Sequence, residues 1–98
     1  MKKMEFMYKD NYIYLNDGNQ VVGYIYYQKI NYDIIDVSST FVSEDYRGQG
    51  IAGKLFDELV QFARKNHYQI IPSCHYIKKK IENNREYQDI YCKEENIL

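Results

Sequence analysis

An α+β domain built on a mixed sheet is the fold class this sequence predicts, on three observations. Residues 1–42 are rich in tyrosine, isoleucine and valine and are interrupted only by short turn signals, which reads as a run of antiparallel strands. From residue 50 the apolar positions change from alternate to helical spacing. A short apolar segment then follows at 68–73, and a strand, a helix and a further strand usually form a right-handed parallel crossover. At 98 residues and 11.9 kDa the chain is expected to be one domain, 1–98, around a single core.

The segments EFMYKD (5–10) and YIYLND (12–17) read as strands flanking Asn11, and Asp17-Gly18 is a strong turn signal. QVVGYIYYQKI (20–30) is β-branched and aromatic almost throughout, and Asn31 is expected to make the next turn. In YDIIDVSSTFV (32–42), alternation places Tyr32, Ile34, Asp36, Ser38 and Thr40 on one face. Ile35, Val37 and Phe41 are expected on the other, interrupted by Ser39.

Ile51, Ala52, Leu55, Phe56, Leu59, Val60, Phe62 and Ala63 form a broad apolar stripe, opposed by Lys54, Asp57, Glu58, Gln61, Arg64 and Lys65. Asn66-His67 ends this helix, where the helix dipole favours a cation at His67. YQIIPS reads as a short buried strand closing at Pro72. From His75 onward the tail is polar and reads as one or two short helical pieces, with Lys78-Lys79-Lys80 on a solvated face.

Composition narrows the function. A net charge of -1 supplies no basic face for nucleic acid. No apolar stretch approaches the ~20 residues of a membrane-spanning helix, and the start lacks the apolar run of a signal peptide. Cys74 and Cys92 are too few for a disulfide framework and share no metal-ligand spacing with the two histidines, so no metal is expected. The expected compartment is the reducing cytoplasm.

The segment YRGQGIAGKL (46–55) overlays three phosphate-binding patterns. Gly48, Gly50 and Gly53 spell the dinucleotide fingerprint, but five polar or bulky residues separate Val42 from Gly48. No carboxylate follows in the next strand to hold a ribose. Gly48 to Lys54 spell most of a nucleotide-triphosphate loop, yet Leu55 stands where Ser or Thr must bind magnesium. The third pattern, Arg47-x-x-Gly50-x-Ala52, asks only for a glycine loop running into a helix N-terminus, which is an anion site.

VSEDYRGQGIAGKL resembles the coenzyme A motif of GNAT-superfamily N-acetyltransferases, [QR]-x-x-G-x-[GA]. The resemblance extends to the very small members of that superfamily through PSCHY (72–76) and REYQDI (85–90), and covers residues 36–91. It implies a GNAT-like mixed sheet with antiparallel N-terminal strands, a central coenzyme A-binding helix, and one parallel strand pair splayed at the cofactor cleft. It implies acetyl-coenzyme A as co-substrate, with backbone near Phe41 and Val42 on the pantetheine and Arg47, Gly48, Gln49, Gly50, Ile51 and Ala52 around the pyrophosphate.

Cys74 matches the small members' cysteine, as an acid for the leaving thiolate or an acyl-accepting nucleophile, and Tyr76 matches an aromatic beside the cofactor. Those members carry a histidine where this chain has Ser39, which leaves water ordered by Ser39, or the Glu44 carboxylate, as the candidate base. His75 replaces a proline. Only tight turns join the first strands, so the amine acceptor is expected at an open site or one shared with a partner, in a monomer or weak homodimer. A coenzyme A-binding or interaction module without efficient catalysis is the alternative.

Overall fold

Turn chemistry sets the first half of the chain. In the computed structural model, which describes residues 4–93, β1 (Met4–Lys9) and β2 (Tyr12–Asp17) join through Asp10-Asn11. Both turn residues have left-handed φ, 51° and 68°, as a tight hairpin between twisted strands requires. Gly18 (φ 62°) opens the next turn, into β3 (Gln20–Asn31). Asn31 ends that strand rather than forming the turn. Its side chain accepts a hydrogen bond from the Asp33 amide (3.0 Å), and β4 (Ile34–Val42) follows.

The stripe from Ile51 makes α1 (Ile51–Lys65), which leads to β5 (Gln69–Pro72), α2 (His75–Ile81) and a 3-10 segment, Arg85–Ile90. His67 takes φ 57° just past the helix end, so left-handed closure accompanies the dipole argument for its position. The five strands lie in the order β1-β2-β3-β4-β5, antiparallel except for the parallel β4–β5 pair.

The core lies on one face of this sheet. Ile13, Ile25, Ile35, Val37 and Ile70 meet Leu55, Phe56 and Leu59 of α1 and Ile77 and Ile81 of α2, all fully or almost fully buried. The opposite face carries Tyr12, Tyr14, Tyr24 and Tyr26, which alternate with core residues along β2 and β3. Four of the chain's 12 tyrosines are thereby explained: their rings line a sheet face that no described helix covers.

The face assignment of β4 differs from simple alternation beyond Val37. Tyr26 pairs with Ser39 and Tyr27 with Val37, so Ser38 is the extra residue of a β-bulge. The bulge shifts the phase by one. Thr40 and Val42, opposite Ile25 and Gly23, turn to the helix side, while Ser39 and Phe41 turn to the tyrosine face. Phe41 is 40% exposed and stacks on Tyr24, with ring centroids 5.1 Å apart.

The tail is tied to α1 by a forked pair. Arg64 donates to both carboxylate oxygens of Asp89 (3.0 and 3.1 Å) and to the Glu86 carbonyl (2.7 Å). The hydrogen bonds from Arg64 hold the Asp89 carboxyl below its ordinary value. A lowered folded value stabilises above the unfolded pKa, and that stability is lost as pH falls below about 4. Both side chains are substantially exposed, so Asp89→Asn is expected to cost only about 0.5 kcal/mol at pH 7. That cost should vanish near pH 3, measured by urea unfolding at the two values.

Candidate functional site

The parallel strand pair is short, and the site begins where it ends. Pairing runs from Ile34–Gln69 to Val37–Pro72 and stops. Proline has no N–H to continue the ladder, and the Ser73 amide turns back to the Ile71 carbonyl (3.0 Å). The Cys74 amide donates to the Val37 carbonyl (2.9 Å), and α2 then leads the chain away. β4 continues to Val42 against β3 alone, so its residues 38–42 have no described strand on the β5 side.

Backbone direction along that edge follows from alternation. The Phe41 carbonyl points toward β3, lying 2.6 Å from where a Cβ on Gly23 would sit. The Val42 carbonyl points the other way and accepts a hydrogen bond from Arg47 Nε (3.2 Å). Thr40 lies two residues before Val42 and so also turns its backbone groups toward the cleft.

A glycine loop closes the end of this edge. A 3-10 turn at Glu44–Tyr46, not foreseen from the sequence, leads into Arg47, Gly48, Gln49 and Gly50. Gly48 and Gly50 have φ of 80° and 77°, a region that a side chain disfavours by ~1 kcal/mol or more. Gly50 is the helix cap and offers no side chain, so the first turn of α1 has no side-chain cap. The first helical bond at this end runs from the Lys54 amide to the Gly50 carbonyl (3.2 Å), which leaves the amides of Ile51, Ala52 and Gly53 without a helical acceptor.

Around these amides lies a depression of about 310 Å³, lined by Val42, Tyr46, Arg47, Gly48, Gly50, Ile51 and Ala52. No acidic residue occupies the first turn of α1, so the helix dipole and Arg47 make this end positive. Tyr46 fastens the loop to the β2–β3 turn by donating to Asp17 (3.1 Å), a bond that raises the Tyr46 phenol above its ordinary value. Gln49 donates to the Asp45 carbonyl (3.4 Å). Gly53, with open space around it, and Lys54 sit in α1 as ordinary helix residues.

Cys74 lies half-buried at the fork between β4 and β5, its Sγ 3.4 Å from Thr40 Oγ1. Thr40 was not among the residues singled out from the sequence. Simple alternation puts it on the wrong face, and only the bulge at Ser38 brings it to Cys74. Ser39 lies on the tyrosine face opposite Tyr26.

Glu44 is exposed in the 3-10 turn, and no hydrogen bond or ion pair among the described residues ties its carboxylate to Ser39 or Cys74. His75 is exposed at the start of α2. Tyr76 lies outside the glycine depression, packed partly against the core with the Lys80 ammonium 5.6 Å from its ring centre. The structure therefore brings together the β4 edge, the glycine loop, Thr40 and Cys74; among the described residues no side-chain hydrogen bond joins Glu44 or Tyr76 to them. Among the described residues there is no cluster of His, Cys, Asp or Glu suited to a metal, and no helix long and apolar enough to cross a membrane.

A mixed five-stranded sheet with one splayed parallel pair and a glycine loop feeding its central helix defines the acetyltransferase class of α+β folds. Residues 11–90 match the profile of the GCN5-related N-acetyl-transferase family, and the chain belongs to that family. A solution structure of a GCN5-like protein from Staphylococcus aureus is 33% identical, with a TM-score of 0.74 over 94% of this chain and 91% of that one.

Two larger proteins share the fold. A GNAT acetyltransferase from Elizabethkingia anophelis with acetyl-CoA bound is 18% identical, TM-score 0.54, over 60% of this chain and 39% of that one. The N-acetylglutamate synthase of Neisseria gonorrhoeae, complexed with coenzyme A and N-acetyl-glutamate, is 14% identical, TM-score 0.53, over 61% and 15%. No curated protein sequence matches this chain.

Proposed function

We propose that this chain is a single-domain N-acetyltransferase that binds acetyl-coenzyme A and transfers its acetyl group to an amine. The observation that carries the reading is the fork: no described strand pairs with β4 from residue 38 to 42 on the β5 side, and the glycine loop with its free helical amides lies at the end of that edge. The residues fit the cofactor. The amides of Ile51, Ala52 and Gly53 and the Arg47 guanidinium would hold the pyrophosphate, and the Gly48 and Gly50 turns let the backbone approach it. The edge at Thr40 and Val42 would take the pantetheine amides as an added strand.

Bound acetyl-coenzyme A supplies an activated thioester; transfer makes one C–N bond, breaks one C–S bond, and needs a proton on the leaving thiolate. Cys74 and Thr40, in contact at the fork, are the groups proposed to hold that proton. Ser39 on the opposite face is proposed to order water for the incoming amine. Cys74→Ala is expected to lower turnover by about a hundredfold while acetyl-coenzyme A affinity stays within about twofold. Thiol release with a panel of amines, paired with calorimetry, reads both. Unchanged turnover would remove Cys74 from the chemistry.

A second reading, coenzyme A binding without efficient transfer, is favoured by Ser39 in place of the small members' histidine. It predicts binding with no amine-dependent thiol release.

A further inference from the structure

We propose that the tyrosine face beside the fork is the acceptor subsite, and that it selects small cationic amines through Asp36 and Tyr26. The inference rests on the acetyltransferase reading for its biological meaning, but its binding claim stands alone. Helices α1 and α2 pack on one side of the sheet with the core, so an acceptor reaching the fork comes from the other side. That side presents a contiguous aromatic surface: Tyr12 lies 5.1 Å from Tyr24 and 5.0 Å from Tyr26, and Tyr24 lies 5.1 Å from Phe41.

Asp36 stands on the same face at the mouth of the fork. It pairs with Ile71, one residue before the last β4–β5 pair, and opposite Gln28 on β3. Tyr26 is two residues from Gln28 along that strand, so Tyr26 and Asp36 are diagonal neighbours on one face, their backbone positions about 7–8 Å apart and within reach of a long aromatic side chain. Asp36 Oδ1 is buried and accepts no hydrogen bond from any described residue. An unpartnered carboxylate oxygen beside tyrosine rings is complementary to an ammonium, which both groups attract. An apolar molecule covers the rings but leaves the oxygen unpaired. A second copy of the chain related by a twofold axis through this patch does no better, because it brings a second Asp36 toward the first.

The chain has no tryptophan, so its emission comes from its 12 tyrosines, four of which lie on this face, and the Tyr26→Leu variant ties a change in emission to the face. The full chain, without coenzyme, is titrated with phenethylamine and with its neutral counterpart 2-phenylethanol. Saturable quenching by the amine is expected, with Asp36→Asn and Tyr26→Leu each weakening it by about tenfold or more, and with the alcohol binding at least about tenfold more weakly. Circular dichroism verifies that both variants fold.

Equal binding by the two compounds, or wild-type amine affinity in Asp36→Asn, would overturn the proposal. So would a concentration-dependent dimer, seen by sedimentation, that Tyr24→Lys dissociates. Acetyl-coenzyme A affinity is measured separately and is expected to be unchanged in Asp36→Asn. Its absence in the wild type would end the coenzyme reading without altering the amine titration.

Discussion

Gly50→Glu is expected to weaken acetyl-coenzyme A binding by at least about a hundredfold, because a carboxylate placed some 4 Å from a phosphate costs ~4 kcal/mol at a surface dielectric. The same substitution should lower stability by only ~1 kcal/mol, the cost of a side chain at φ 77°, since nothing lies within 4 Å of the position where its Cβ would sit. Calorimetric titration separates the two effects. Gly53→Ala is the matched control: it keeps the backbone amide proposed for the pyrophosphate, and it lies in α1 without positive φ and with open space around it. It should raise stability by about 0.5–1 kcal/mol and leave binding intact. Equal affinity in Gly50→Glu and wild type would mean that the loop does not hold the cofactor.

The second large effect is expected at Gly23, where α1 crosses the sheet. A Cβ there would lie 2.6 Å from the Phe41 carbonyl oxygen, 3.1 Å from Leu55 Cδ1 and 3.4 Å from Ile51 Cγ2. The first of these is backbone, so the strand itself must shift. Gly23→Ala is expected to cost about 2–3 kcal/mol, the upper part of the range for overpacking, and urea unfolding measures it. The displaced segment is the β4 edge proposed for the pantetheine, so cofactor affinity should fall along with stability. Wild-type stability in this variant would contradict the close α1–sheet contact.

Much of this fold was legible in the sequence because its signals are local. The breaks at Asn11 and Asp17-Gly18, the stripe from Ile51 to Ala63 and the proline that ends β5 each carry their own physical reason within a few residues. The two features that shape the site were not legible. Ser38 is an ordinary strand residue, and its bulge exists only through the register of β4 against β3. Its consequence, Thr40 facing Cys74, inverts what alternation alone gives. The covered side of the sheet is also a tertiary fact. The tyrosines were recognisable as strand residues, but their gathering on one face that no described helix covers depends on α1 and α2 both packing on the other. Gly48 and Gly50 show the opposite case. Their left-handed geometry was readable because few residues other than glycine accept it cheaply.

Cofactor binding at the fork is the claim on which the rest depends, and amide chemical-shift mapping tests it most directly. On adding acetyl-coenzyme A to the isotope-labelled chain, shifts are predicted at Gly48 to Gly53, along Ser38 to Val42 and at Ser73 and Cys74, with the amides of β1 left still. Shifts confined to other parts of the chain, or none at millimolar ligand, would contradict the account.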